Sequence, residues 1–185
     1  YAYRGGDSTR DIPRGLAIDP DGRAFLVGQS YDYILRRSTC FIVSLSAAGD
    51  ILWERLYDDG TGYSTGASGL CRAGSFVYVL GADWGGALII KYSLDGDTIW
   101  TRHLGFGENS EAGAGQGAID AAGNLFIAGS VAIGNPFQFV PSDVFLARYT
   151  SSGDLNWVIR LDTLPYTDDR SRNLELTPQG TLRLF

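Results

Sequence analysis

The residues able to do chemistry in this chain are few and isolated. His103 is the one histidine. No second imidazole exists to complete a metal site or a proton relay, so it reads as a structural side chain in an outer strand. Gly62-Tyr63-Ser64-Thr65-Gly66 spells the Gly-x-Ser-x-Gly pattern of a serine nucleophile. That pattern works on a sharp turn between a strand and a helix, with a histidine to take the proton. Here it joins two expected strands, with no helix and no histidine partner. Gly113-Ala114-Gly115-Gln116-Gly117-Ala118 matches a dinucleotide fingerprint in letters only. It opens no helix, so it is expected to be a flexible connection before a strand. Asp58-Asp59-Gly60 and Asp168-Asp169 offer carboxylates without the ligand spacing of a calcium loop, and read as solvated loop charge. Cys40 and Cys71 are too few for a disulfide framework. Buried thiols acting as small apolar groups are the favoured reading, with a disulfide or metal pair as the alternative. No catalytic residue, metal ligand set or cofactor is assigned.

Bulk properties narrow the class. The chain has 185 residues, 25 of them Gly and only 6 Pro, which signals many tight turns. Aromatics at 12% are too plentiful for a disordered chain. A net charge of −6 argues against a nucleic-acid partner, which needs a dense basic face. No apolar run approaches the ~20 residues of a membrane span, so no membrane insertion is expected. No basic-then-apolar leader opens the chain. The chain has no Met, which reads as a processed product or a piece of a longer protein. Lys91 is the one lysine among 15 Lys and Arg residues, with no function legible for it.

The positioning elements come from an internal repeat. "SAAGDILW", "SLDGDTIW" and "TSSGDLNW" place Gly49, Gly96 and Gly153 in one column and Trp53, Trp100 and Trp157 in another. "AIDPDGRAFLVG", "LCRAGSFVYVLG" and "AIDAAGNLFIAG" form a second set anchored at Gly28, Gly81 and Gly129, and "ELTPQGTLRLF" is a partial fourth copy. In this alignment Cys40 shares a register with Ala87 and Val144, and Cys71 with Ile18 and Ile119. Each unit reads as four short strands punctuated by Gly, Asp and Ser. Runs such as "CFIVSL" and "ALIIKY" are apolar throughout, so both sheet faces must be covered. Four-stranded units of about fifty residues, stacked face to face, are the blades of a β-propeller. The expected fold is all-β. It comprises the end of a blade (1–14), three complete blades (15–65, 66–114, 115–173) and the start of another (174–185). Gly49, Gly96 and Gly153 are expected to supply a left-handed turn residue. The aspartate beside each is expected to bind turn amides, and each tryptophan to fill the wedge between blades.

"AIDAAGNLFIAGS" followed by "SDVFLARYTSSGDLNW" resembles the bacterial β-propeller repeat of secreted and surface proteins (the SBBP-type, seven-bladed family). The third unit carries the motif best, through Asp120, Gly123, Asn124, Gly129, Asp143, Phe145, Arg148 and Tyr149. Thr39 and Gly86 replace the motif aspartate in the first two units. The resemblance implies an extracellular or cell-surface location. The Gly-x-x-x-Trp element also resembles the docking repeat of quinone-dependent propellers, and "SLDGDTIW" a sialidase Asp-box lacking one residue; both are read as shared architecture.

Length variation points to the functional end. Two turns per blade are short and uniform, while the loops at the other end vary: "QSYDYILRRST", "ADWGG" and "SVAIGNPFQFVPSD" between second and third strands, and the blade-to-blade links. Binding residues concentrate on such loops. Tyr31, Tyr33, Arg36, Arg37, Trp84, Phe137, Phe139 and Tyr166 form the candidate ligand-binding set, since Trp, Tyr and Arg dominate interface hot spots; the bland reading is that each packs its own loop. The sequence therefore favours a non-catalytic binding scaffold for a protein or glycan. The alternative is part of a propeller enzyme, a glycan hydrolase or lyase or a quinone oxidoreductase, completed by further blades. Apolar blade faces at the ends would call for further blades or self-association.

Overall fold

The computed structural model describes residues 8–134, 141–161, 173–177 and 179–185. All regular structure among them is β. Strands β1 (Thr9–Ile18), β2 (Ala24–Asp32), β3 (Arg37–Leu45) and β4 (Ile51–Tyr57) form the first sheet. The second comprises β5 (Gly66–Ala73), β6 (Phe76–Asp83), β7 (Gly86–Ser93) and β8 (Thr98–Leu104). The third comprises β9 (Ser110–Ile119), β10 (Leu125–Ile133), β11 (Ser142–Tyr149) and β12 (Leu155–Leu161). Each is an antiparallel meander in chain order, and β13 (Leu174–Leu176) and β14 (Leu182–Leu184) make a two-stranded sheet. The architecture is all-β, with sheets packed as propeller blades.

The apolar runs serve two interfaces at once. In β7, Leu88 and Ile90 pack with Phe25, Val27, Cys40 and Ile42 of the first sheet. The alternate residues, Ala87 and Ile89, pack with Leu125, Ile127 and Phe145 of the third. Period-two geometry sends neighbouring side chains to opposite faces, so a strand between two sheets must be apolar at every position. On β1, Leu16 and Ile18 remain exposed.

The Gly28, Gly81 and Gly129 column has a steric cause. A Cβ at each would run into a first-strand carbonyl, of Ile12, Gly66 or Gly113. The β1–β2, β5–β6 and β9–β10 ladders each shift register beside that contact. A bulge brings the backbones too close for a side chain.

Three expectations about local structure are corrected. Strand β1 starts at Thr9, inside the segment assigned to a preceding blade. It runs through Pro13 because it lies at the edge of its sheet and the bulge falls there. Residues 113–118 lie within β9, paired to β10, and are no flexible connection. Cys71 pairs with Tyr78 as Ala17 pairs with Phe25 and Ala118 with Phe126, so it belongs with those alanines, one position from Ile18 and Ile119. The Gly74 turn is shorter than its counterparts, which displaces an alignment anchored downstream. Cys40 and Cys71 are both free thiols, and burial pushes each up to about 12.

Gly49, Gly96 and Gly153 have φ of 91°, 87° and 88°, the left-handed turn residue expected. The amides of these turns are held by the hydroxyl that opens them, not by the aspartate. Ser46 Oγ accepts from the Ala48 and Asp50 amides, Ser93 Oγ from Asp97, and Thr150 Oγ1 from Asp154. The aspartate does this work in the other short turn: Asp19 Oδ1 accepts from Asp21 and Arg23, and Asp120 Oδ1 from Ala122 and Asn124.

Tryptophan and glycine lock successive sheets. A Cβ on Gly96 would stand 2.7 Å from the Trp53 ring, and one on Gly153 2.9 Å from the Trp100 ring. Trp53 Nε1 donates to Leu94 O at 2.7 Å, and Arg23 donates to the same carbonyl at 2.9 Å. At the next interface the matching carbonyl, Ser151 O, accepts from Lys91 Nζ at 3.0 Å. Arg102 Nε adds a bond to Gly153 O at 2.7 Å, and Trp100 Nε1 has no partner among the described residues. Lys91 is 5% exposed and sits 3.9 Å from the Phe76 ring centre, with Tyr78 and Trp100 further off. The chain's one lysine is thus a sheet-to-sheet tether in an aromatic surround, and desolvation lowers its pKa. Trp157 packs on Phe126 of its own sheet.

Candidate functional site at the long-loop end

A meander places the β2–β3 hairpins and the sheet-to-sheet links at one end, and the two short turns of each sheet at the other. At the long-loop end of the first sheet, Asp32 Oδ1 accepts from the amides of Ile34 and Leu35 at 2.7 and 2.9 Å. This Asx-type turn needs a left-handed residue to return the chain, and Arg36 supplies it with φ of 55°. Arg36 is therefore a backbone element of the turn as well as a surface charge. The turn pushes three consecutive apolar side chains outward: Tyr33, Ile34 and Leu35 are 58%, 77% and 59% exposed. Tyr31 meets Tyr33 edge to face at 5.2 Å.

Arg37 is engaged by the neighbouring link. Its guanidinium meets Asp58 at 2.8 and 3.2 Å, one nitrogen to each carboxylate oxygen. The Gly60 amide and Arg37 together hold the Asp58 carboxyl below its ordinary range. Asp59 accepts from the Thr61 amide and hydroxyl. The first acidic cluster is thus committed to shaping its own loop; Asp168 and Asp169 lie outside the described residues. Among the described residues no group of three or more His, Cys, Asp and Glu side chains converges on one point.

The Gly-x-Ser-x-Gly stretch is a clamp. Ser64 Oγ accepts from the Ser38 amide at 3.0 Å. Thr65, buried, accepts from the Cys40 amide and donates to Tyr57 O, each at 2.9 Å. These bonds fasten the link to β3 and the end of β4, and they present Tyr63 to solvent. Tyr63 stacks on Trp84, ring centres 4.0 Å apart and planes 12° from parallel. The pair remains open, Tyr63 50% and Trp84 67% exposed.

Trp84 stands on a tight hairpin, Asp83 to Gly86. Asp83 Oδ1 accepts from the Gly85 amide at 2.8 Å. Its other oxygen lies 2.9 Å from His103 Nδ1 on β8, with no hydrogen bond between them. The Asp83 side chain is fully enclosed, whereas His103 is 41% exposed. His103 therefore keeps an open edge beside the Trp84 hairpin, as an orientable hydrogen-bonding group.

The candidate residues divide into separate groups. Tyr31 and Tyr33 come together, Arg37 is paired with Asp58, and Trp84 joins Tyr63, a residue the nucleophile-like spelling concealed. Ile34 and Leu35 join the exposed set although neither is aromatic or basic. Their signal in the sequence is Tyr33-Ile34-Leu35, three apolar residues following Asp32 in a loop. Phe137, Phe139 and Tyr166 lie outside the described residues. A groove of about 330 Å³ along the first strands is lined by Arg14, Ser68, Gln116, Asn173, three leucines (Leu16, Leu70 and Leu174) and glycines.

No protein-family model matches the chain, and no curated protein matches it. Among solved structures, a protein of unknown function from Bacteroides caccae superposes with a TM-score of 0.45 at 9% identity, over 86% of this chain and 70% of that one.

Proposed function

We propose that the protein is a non-catalytic, extracellular β-propeller scaffold that binds a protein or glycan through its long-loop end. One observation carries this reading. Five large apolar side chains, Tyr33, Ile34, Leu35, Tyr63 and Trp84, are each at least half exposed at that end, on turns fixed by their own hydrogen bonds. Exposed aromatic and apolar groups on rigid loops are what recognition surfaces are built from. The short turns at the opposite end carry mainly small and polar residues; Leu94 lies in one of them, half-buried, and Ile18 is exposed where β1 enters another. The secreted and surface location rests on the repeat's resemblance to the SBBP-type family.

The test is a screen of immobilised protein against glycans and extracellular proteins, repeated with Ile34→Asp and Trp84→Ala at the long-loop end and Asp95→Lys at the short-turn end. Binding lost in either long-loop variant and kept in Asp95→Lys is the expected result. Binding that only Asp95→Lys abolishes, or turnover of a glycan by the unaltered protein, overturns the reading.

A further inference from the structure

We infer that Tyr63 and Trp84 form a platform for a neutral pyranose ring, which rests on the long-loop binding reading and gives it a ligand class. The two rings come from different segments, the link after β4 and the β6–β7 hairpin, yet they meet nearly parallel at 4.0 Å. Neither belongs to a core cluster, and both stay largely exposed. Mutual stacking fixes the plane of each ring while at least half of each residue's surface stays open to solvent. An aromatic face held in advance loses little entropy on binding.

The surroundings select the ligand. Gly62 precedes Tyr63, and Gly85 and Gly86 follow Trp84. Thr61 Oγ1 accepts from the Tyr63 amide and donates to Asp59, and His103 Nδ1 lies 3.1 Å from where a Cβ on Gly85 would stand. A protein partner would need a broad patch of roughly 800 Å² on this side. A frame of glycines and hydrogen-bonding groups around two rings suits something smaller, with an apolar face and a polar rim. A pyranose has that shape: its axial C–H face lies on an aromatic ring, and its hydroxyls reach groups at the edge. His103 offers an open edge of its ring beside the platform, with Nδ1 turned to the buried Asp83. The Asp59 carboxylate, linked through Thr61 to the Tyr63 amide, disfavours an anionic sugar, whereas Asp58 is paired with Arg37.

The experiment is saturation-transfer NMR on the whole chain, with methyl glycosides of glucose, galactose, mannose and N-acetylglucosamine, and with glucuronate as the anionic comparison. Saturation of ring C–H protons of at least one neutral glycoside is expected, stronger than for glucuronate. Trp84→Ala should weaken that binding about tenfold or more, the effect of losing an aromatic anchor, and Tyr63→Phe should keep it. Both positions are exposed, and unchanged melting of each variant confirms that the fold is intact. Absence of transfer to every neutral glycoside, transfer unaffected by Trp84→Ala, or preference for glucuronate overturns the inference. If a binding partner from the broader screen is then lost in Ile34→Asp alone, the platform is wrong and the long-loop reading stands. If neither long-loop variant affects any partner, both fall.

Discussion

The indole of Trp100 rests on Gly153 of the following sheet, at the position where a Cβ would stand 2.9 Å from its ring atoms. Trp53 and Gly96 repeat the arrangement one interface earlier. Gly49 has the same positive φ, with nothing among the described residues within 4 Å of a Cβ. The three glycines therefore separate two penalties. Gly49→Ala should cost roughly 1–2 kcal/mol from backbone strain alone. Gly96→Ala and Gly153→Ala should cost distinctly more, because the indole must also move. Urea unfolding of the three variants checks this; equal losses would mean that the tryptophans do not press on the turns.

Trp100→Ala should cost ~3–5 kcal/mol, the range for removing a large buried side chain. Trp100→Phe should cost clearly less, since it keeps a ring and gives up an indole N–H that has no partner among the described residues. A Trp100→Ala protein that melts like the parent would refute the wedge role.

Lys91→Met should lose the bond to Ser151 O and the contact with Phe76, leaving a carbonyl without its donor, at about 1–3 kcal/mol. Ser44 occupies the corresponding place in the first sheet, against Trp53. Double-mutant cycles between Lys91→Met and Phe76→Leu should show coupling, and a coupling of zero would remove the aromatic surround from the account.

Alkali should unfold the protein in a defined window. Burial raises Cys40 and Cys71 from 9.0, and Tyr57, Tyr78, Tyr92 and Tyr149 from 10.0, to about 12 each. Folded chains then hold protons that unfolded chains release, so stability is complete below pH 9 and falls as pH climbs toward 12. Lys91 acts in the opposite sense: its lowered pKa means that stability gains from its neutralisation as pH rises toward 10.5. Six groups outweigh one, so the urea midpoint should decline across pH 9–12. The same burial should leave the Cys40 thiol unreactive toward a disulfide reagent at pH 8 until denaturant is added, with the half-buried Cys71 the more accessible of the two.

Thr65→Val should cost about 1–3 kcal/mol, because the Cys40 amide and the Tyr57 carbonyl both lose a buried partner. Ser64→Ala, at an exposed hydroxyl, should cost less. Heat denaturation of the pair measures the difference, and the reverse order would show that Ser64 holds the link.

The fold was legible because a repeated unit writes the same constraint several times. Three Gly-Asp-x-x-Trp stretches and three second-strand glycines mark the turns and bulges without help from tertiary structure. Tertiary pairings were hidden where equivalent places hold different residues: Ser44, Lys91 and Arg148 stand opposite Trp53, Trp100 and Trp157, and only Lys91 reaches Ser151. The turn aspartates misled because the carboxylate and the opening hydroxyl are both good acceptors, and only geometry chooses between them. The Tyr63–Trp84 pair joins segments some twenty residues apart through loop conformations that Ser64, Thr65 and Asp83 set, which no periodicity encodes.

The tryptophan locks and the variable hairpins sit at opposite ends of the same strands. A hairpin can lengthen from the tight Asp83–Gly86 turn to the broader Asp32–Arg37 turn while the Trp–Gly contact at the far end is preserved. Mutation and selection can therefore explore the two ends almost independently. A lineage carrying this framework can trade one recognition loop for another without first acquiring compensating changes in the residues that keep its sheets together.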